Sequence, residues 1–140
     1  MKSLPMLLKL ARQNLDAVRR LLTDQMKKID HVDEKLALQA QTVLAEQKAA
    51  AATYELTRAY GGYAGAARAQ REKLEAERAE LVADADNLRA AVEQAHVEVR
   101  KFERLLELQK ERAEAEALKR ENAELDEMTV LRRRLGHNLA

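Results

Sequence analysis

Three histidines, His31, His96 and His137, are the residues of this sequence best suited to proton transfer or metal ligation near neutral pH. They stand far apart in the chain, and no two of them share the spacing of three or four residues that would set a pair of ligands on one helical face. There is no cysteine to supply a thiolate, no glycine-rich phosphate loop of the Walker type, and no Ser, His and Asp set that a cleft would bring together. The carboxylates are scattered among basic residues, as on solvated helical faces. The sequence therefore predicts no catalytic residue, no metal site, no cofactor and no small-molecule ligand; it does not read as an enzyme.

The elements that carry these residues follow from composition. Charged residues make up 35% of the chain and aromatics only 3%, with one Pro and four Gly, a mixture typical of long helices and coiled coils. The 25 basic and 24 acidic residues are interleaved and leave a formal charge of +1, so no net field gathers nucleic acid or anionic lipid. Basic residues also lack the aromatic neighbours that stack on single strands. The absence of cysteine is in keeping with a cytoplasmic chain. The opening "MKSLPMLLKLARQ" is read as a helix start rather than a signal peptide, because Lys9 and Arg12 interrupt its apolar run. Ser3 is its expected cap, with Pro5 tolerated in the first turn. No transmembrane span is expected.

Hydrophobic residues then recur every seven positions: Leu8, Leu15, Leu22, Ile29, Leu36, Val43 and Ala50 at a, with Ala11, Val18, Gln25, Val32, Gln39, Glu46 and Thr53 at the weaker d. The same grammar returns later, with Leu74, Leu81, Leu88, Ala95, Phe102 and Gln109 at d and Arg78, Ala85, Val92, Val99, Leu106 and Ala113 at a. Between the two arms lies "YGGYAG", residues 60–65, which holds three of the four glycines.

Two such arms predict an all-α antiparallel coiled-coil hairpin whose second helix is the longer. In antiparallel packing, facing a and d positions have a constant sum. A sum of 124 sets Ala50 against Leu74, Val43 against Leu81, Ile29 against Ala95 and Leu22 against Phe102, opposes Glu46 to Arg78, and centres the fold on Gly62; sums of 117 or 131 satisfy the heptads equally. The expected organisation is a single slender rod over 1–140, with helix 1 about 4–60, a turn about 61–65, helix 2 about 66–121 and an overhanging segment 122–140. In this register His31 faces Glu93 and His96 faces Lys28. One uninterrupted helix that pairs with other chains, the glycines being a tolerated kink, is the alternative.

Two places remain for binding. At the expected turn, Tyr54, Leu56, Tyr60 and Tyr63 gather where a two-helix layer is too thin to bury them; they either form a contact patch or close over the hairpin end. At the other end, Leu125, Met128, Leu131 or Arg132, and Leu135 make an apolar stripe beside Arg132, Arg133 and Arg134, on a segment with no partner of its own. The heptad phase is lost between 113 and 123, where a stutter would change the supercoil.

The opening "LLKLARQNLDAVRRLL" and the segment "VRKFERLLELQKERAEAEALKRENAELDEMT", with Leu125, Asp126 and Glu127 above all, resemble the FliJ family of flagellar protein export components. The resemblance covers nearly the whole chain. It implies a non-enzymatic stalk of the flagellar type III export apparatus, cytoplasmic at the base of that apparatus and peripheral to the membrane only through protein partners. Those partners would be the export ATPase ring, the cytoplasmic domain of the export gate, and export chaperones. On this view Leu4, Leu7, Leu125, Asp126, Glu127, Met128, Leu131, Arg132 and Arg133 face the ring, and Tyr54, Leu56, Tyr60 and Tyr63 face the gate. Injectisome stalks share the design; a coiled-coil scaffold and a hairpin holdase are the rival classes.

Overall fold

The computed structural model describes residues 3–139, and the ends of the expected rod, residues 1, 2 and 140, lie outside it. It consists of two helices, α1 over Leu4–Ala50 (47 residues) and α2 over Tyr54–Leu139 (86 residues), with no strand among the described residues. The all-α reading with a longer second helix holds. The chain divides into two units, Gln13–His96 and the described parts of Met1–Arg12 with Val97–Ala140.

The helix α1 starts as expected. The Met6 amide lies 3.4 Å from Ser3 Oγ and the Leu7 amide donates to the Ser3 carbonyl at 3.0 Å, which satisfies amides that have no partner inside the helix. No Gly or Pro interrupts its remaining length.

The reversal is where the sequence reading errs. The helix α1 stops at Ala50, ten residues before the expected end, and the chain turns through Ala51, Ala52 and Thr53. The last turn tightens through an Ala52 amide bond to the Ala49 carbonyl at 3.1 Å, and no residue here needs a positive φ. Thr53 then caps α2: its Oγ1 accepts from the Leu56 amide at 3.2 Å, and Glu55 sits in the positive first turn. The Thr57 hydroxyl shares its proton between the carbonyls of Thr53 and Ala50, so a side chain of α2 holds the end of α1.

The glycines of "YGGYAG" are consequently helical. None has a positive φ, and a Cβ at Gly61, Gly62 or Gly65 would meet nothing within 4 Å. Three helical glycines cost roughly 1 kcal/mol each. The seam nevertheless runs through them, because Tyr60, Ala64 and Ala67 continue the d, a, d series of the second arm backwards and are all half-buried.

The heptad phase is right although the register is not. In the unit Gln13–His96 the side-chain pairs that bridge the helices have position sums near 110: 106 for Gln25 with Leu81 and for Gln39 with Ala67, 111 for Asp33 with Arg78, and 115 for Met26 with Arg89 and for Arg19 with His96. The expected 124 exceeds 110 by two heptads, so the same a and d residues face inward against different partners. From Leu8 to Val43 every predicted a and d residue of α1 is buried or half-buried; Glu46 is exposed. The core of this unit comprises Leu15, Gln25, Ile29, Val32, Ala50, Leu74, Ala85 and Ala95. In the other unit, Leu8, Ala11 and Val99 are buried, Leu4, Leu7, Phe102, Leu106 and Leu108 are half-buried, and Arg12 bonds Glu103 at 3.3 Å.

Candidate interaction surfaces

The polar residues of the seam act on register. Gln25, 8% exposed, donates from Nε2 to the Leu81 carbonyl at 3.0 Å, and Gln39 does the same to the Ala67 carbonyl at 2.8 Å. Each glutamine thus uses a backbone acceptor of the facing helix, and no buried side-chain polar atom among the described residues is left without a partner. The expected pairing of Glu46 with Arg78 does not form. Arg78 Nε instead bonds Asp33 Oδ1 at 2.6 Å, and this hydrogen bond, with the charge of Asp33, raises the arginine pKa further above its ordinary value.

The histidines also have other neighbours than the sequence register gave. His31 lies 4.0 Å from Glu34 on its own helix, and Arg19 lies 2.9 Å from His96 Nε2. For that second contact to be a hydrogen bond, the imidazole must accept at Nε2, so its proton sits on Nδ1. Among the described residues no three His, Asp or Glu side chains gather as metal ligands, and no helix is long and apolar enough to cross a membrane.

The predicted tip cluster divides in two. Tyr54, 81% exposed, and Leu56 stand at the reversal itself. Tyr60 and Tyr63 lie roughly two turns along α2, half-buried, with ring centroids 6.0 Å apart and tilted by 39°. They border two shallow grooves on either side of the Gln39 to Ala67 contact, Tyr60 with Leu36, Val43 and Arg71, and Tyr63 with Leu38, Thr42 and Gln70. Between Val32 and Ala50 on α1, and between Ala50 and Leu74 on α2, no residue is buried. The small side chains of this stretch thin the seam, and local opening is easiest there.

The predicted ring-facing residues are not brought together. Leu4 and Leu7 are half-buried in the paired seam, whereas Leu125, Asp126, Glu127, Met128, Leu131, Arg132 and Arg133 are exposed. Up to residue 137, Leu108 is the last residue of α2 that is even half-buried, and Leu125 lies roughly 25 Å further along the helix axis. The unpaired part is therefore longer than the expected 122–140, since every side chain over 109–137 is exposed. On it Leu118, Leu125, Met128, Leu131 and Leu135 are each more than half exposed. Comparisons with models of protein families, with curated proteins and with solved structures found no match to this chain.

Proposed function

We propose that the chain is a non-enzymatic stalk of the flagellar type III protein export apparatus, which links the export ATPase ring to the cytoplasmic domain of the export gate and handles export chaperones. Its place would be cytoplasmic, at the base of that apparatus. The observation that carries this reading is the unequal length of the helices. Over residues 109–137, α2 runs on with no partner in its own chain and bears an apolar stripe beside Arg132, Arg133 and Arg134, as an element that enters another protein would. The sequence resemblance to the FliJ family supplies the identity of that protein, and the exposed Tyr54 and Leu56 at the reversal supply a separate contact for the gate. A holdase hairpin has no use for the overhang.

The deciding experiment removes residues 110–140 and measures stimulation and ring assembly of an export ATPase. The reading expects both to be lost while the remaining paired helices stay folded. Full stimulation by the truncated chain would leave a scaffold or holdase hairpin as the better account.

A further inference from the structure

The exposed stripe of the overhang has a pattern that fits one occupant in particular. On α2, Leu118, Leu125 and Arg132 follow one another at sevens, and so do Glu121, Met128 and Leu135, three positions further on; these are a and d positions of a two-stranded seam with a charged residue in each series. If two copies lay parallel, Glu121 would face Glu121 and Arg132 would face Arg132 inside the seam, an arrangement that like charges oppose. In the antiparallel arrangement facing a and d positions again have a constant sum, here 253: Leu118 meets Leu135, Leu125 meets Met128, and Glu121 meets Arg132 of the other copy. Every layer between 118 and 135 is then apolar on apolar or acid on base.

Inside the seam, charge decides the direction: reversing a second copy sets Glu121 beside Arg132 twice, once at each end of the pairing, while Asp126, Glu127, Arg133 and Arg134 stand at the outward b and c positions. The available length agrees as well. With a sum of 253, residue 135 of one copy meets residue 118 of the other, so the whole pairing stays within 109–137, where every side chain is exposed. We propose that the overhang is a self-complementary surface, and that two copies of this chain pair antiparallel through residues 118–135 about a centre between Asp126 and Glu127. The inference does not rest on the export reading. If both hold, self-pairing covers Leu125 and Met128 and competes with the ATPase ring.

The test uses the full chain alone. Sedimentation equilibrium over a range of concentrations should show the mass rising from 15.9 kDa toward twice that value, with the association weakened by salt. Glu121→Arg and Arg132→Glu each place like charges in the seam and should each abolish dimerisation, whereas the double swap should restore it. Both residues are exposed, so helical content by circular dichroism should be the same in all four proteins. A wild-type chain that stays monomeric at every concentration would overturn the proposal, as would a dimer that the single reversals leave intact or that the double swap does not restore. A parallel dimer would show itself by gaining nothing from the double swap. Because no ATPase is present, failure here leaves the export reading standing, and failure of the truncation experiment leaves this one standing.

Discussion

The side-chain amide of Gln39 donates to the carbonyl oxygen of Ala67 at 2.8 Å, which ties a d position of α1 to the backbone of α2 just beyond the glycines. Gln25 repeats the contact with Leu81 two heptads further from the turn than Gln39. A carbonyl inside a helix already has its own amide partner, so loss of either glutamine leaves no orphaned acceptor. Replacing both by Leu removes about 1 kcal/mol of hydrogen bonding per site and adds about 1.5 to 3 kcal/mol of apolar burial at a fully covered site, less at the half-buried Gln39. Gln25→Leu with Gln39→Leu should therefore unfold at a higher temperature. It should also lose a single register, visible as mixed masses in light scattering; a double variant that is less stable would contradict the account.

The glycines offer a direct test of where the chain turns. Because Gly61, Gly62 and Gly65 have helical backbone and open space where a Cβ would go, their replacement by Ala should stabilise the fold by about 1 kcal/mol each, the ordinary difference in helix propensity. The triple variant should melt at a clearly higher temperature with unchanged or increased helicity. If the glycines formed a turn, the same change would destabilise it.

Much of this fold is legible in the sequence, and the error has an identifiable cause. The heptads name the buried faces correctly, from Leu8 to Val43 on α1 and from Leu74 to Leu106 on α2, since a seven-residue apolar repeat depends only on one helix meeting another. Register is a different quantity: periodicity fixes it only modulo seven, and the glycines drew the turn two heptads' worth of sum too far along. Two signals pointed to the true site. No Ser, Thr, Asp or Asn lies between Arg58 and Arg71 to cap a helix, whereas Thr53 precedes α2 and does so; and Tyr60, Ala64 and Ala67 keep the heptad phase through the supposed break. The unpaired overhang was visible, but its length inherits the error in register.

The contact between Arg78 and Asp33 replaces the expected pairing of Arg78 with Glu46. Both side chains are close to half exposed, at 44% and 45%, so solvent and salt screen the pair and its value lies more in register than in stability. Single reversals, Asp33→Arg or Arg78→Asp, should lower the melting temperature modestly, and the double swap should recover most of the loss; Glu46→Arg should have no effect that depends on residue 78. The sign of the pH dependence follows from the raised arginine pKa. Its contribution is fully present below the ordinary arginine range and is lost only as pH climbs through the raised value. The difference in melting temperature between wild type and Arg78→Gln should thus stay constant from neutrality to about pH 10.

The remaining prediction concerns the reversal itself, where Ala49, Ala51 and Ala52 are exposed and two threonines carry the connection. Thr53 satisfies an amide of α2 that has no partner within the helix, and Thr57 reaches a carbonyl at the end of α1 that is likewise unpaired in its own helix. Thr53→Ala removes the cap and should cost about 1 kcal/mol; Thr57→Val keeps the shape and removes only the hydroxyl, at about 1 kcal/mol. The loss should be local. Since no residue between Val32 and Ala50 is buried, or between Ala50 and Leu74, this end of the hairpin opens without the rest. Amide hydrogen exchange over 44–60 should accelerate in both variants, while exchange near Ile29 and Ala85 stays as in wild type. Equal acceleration throughout the unit Gln13–His96 would show that the reversal and the seam open as one.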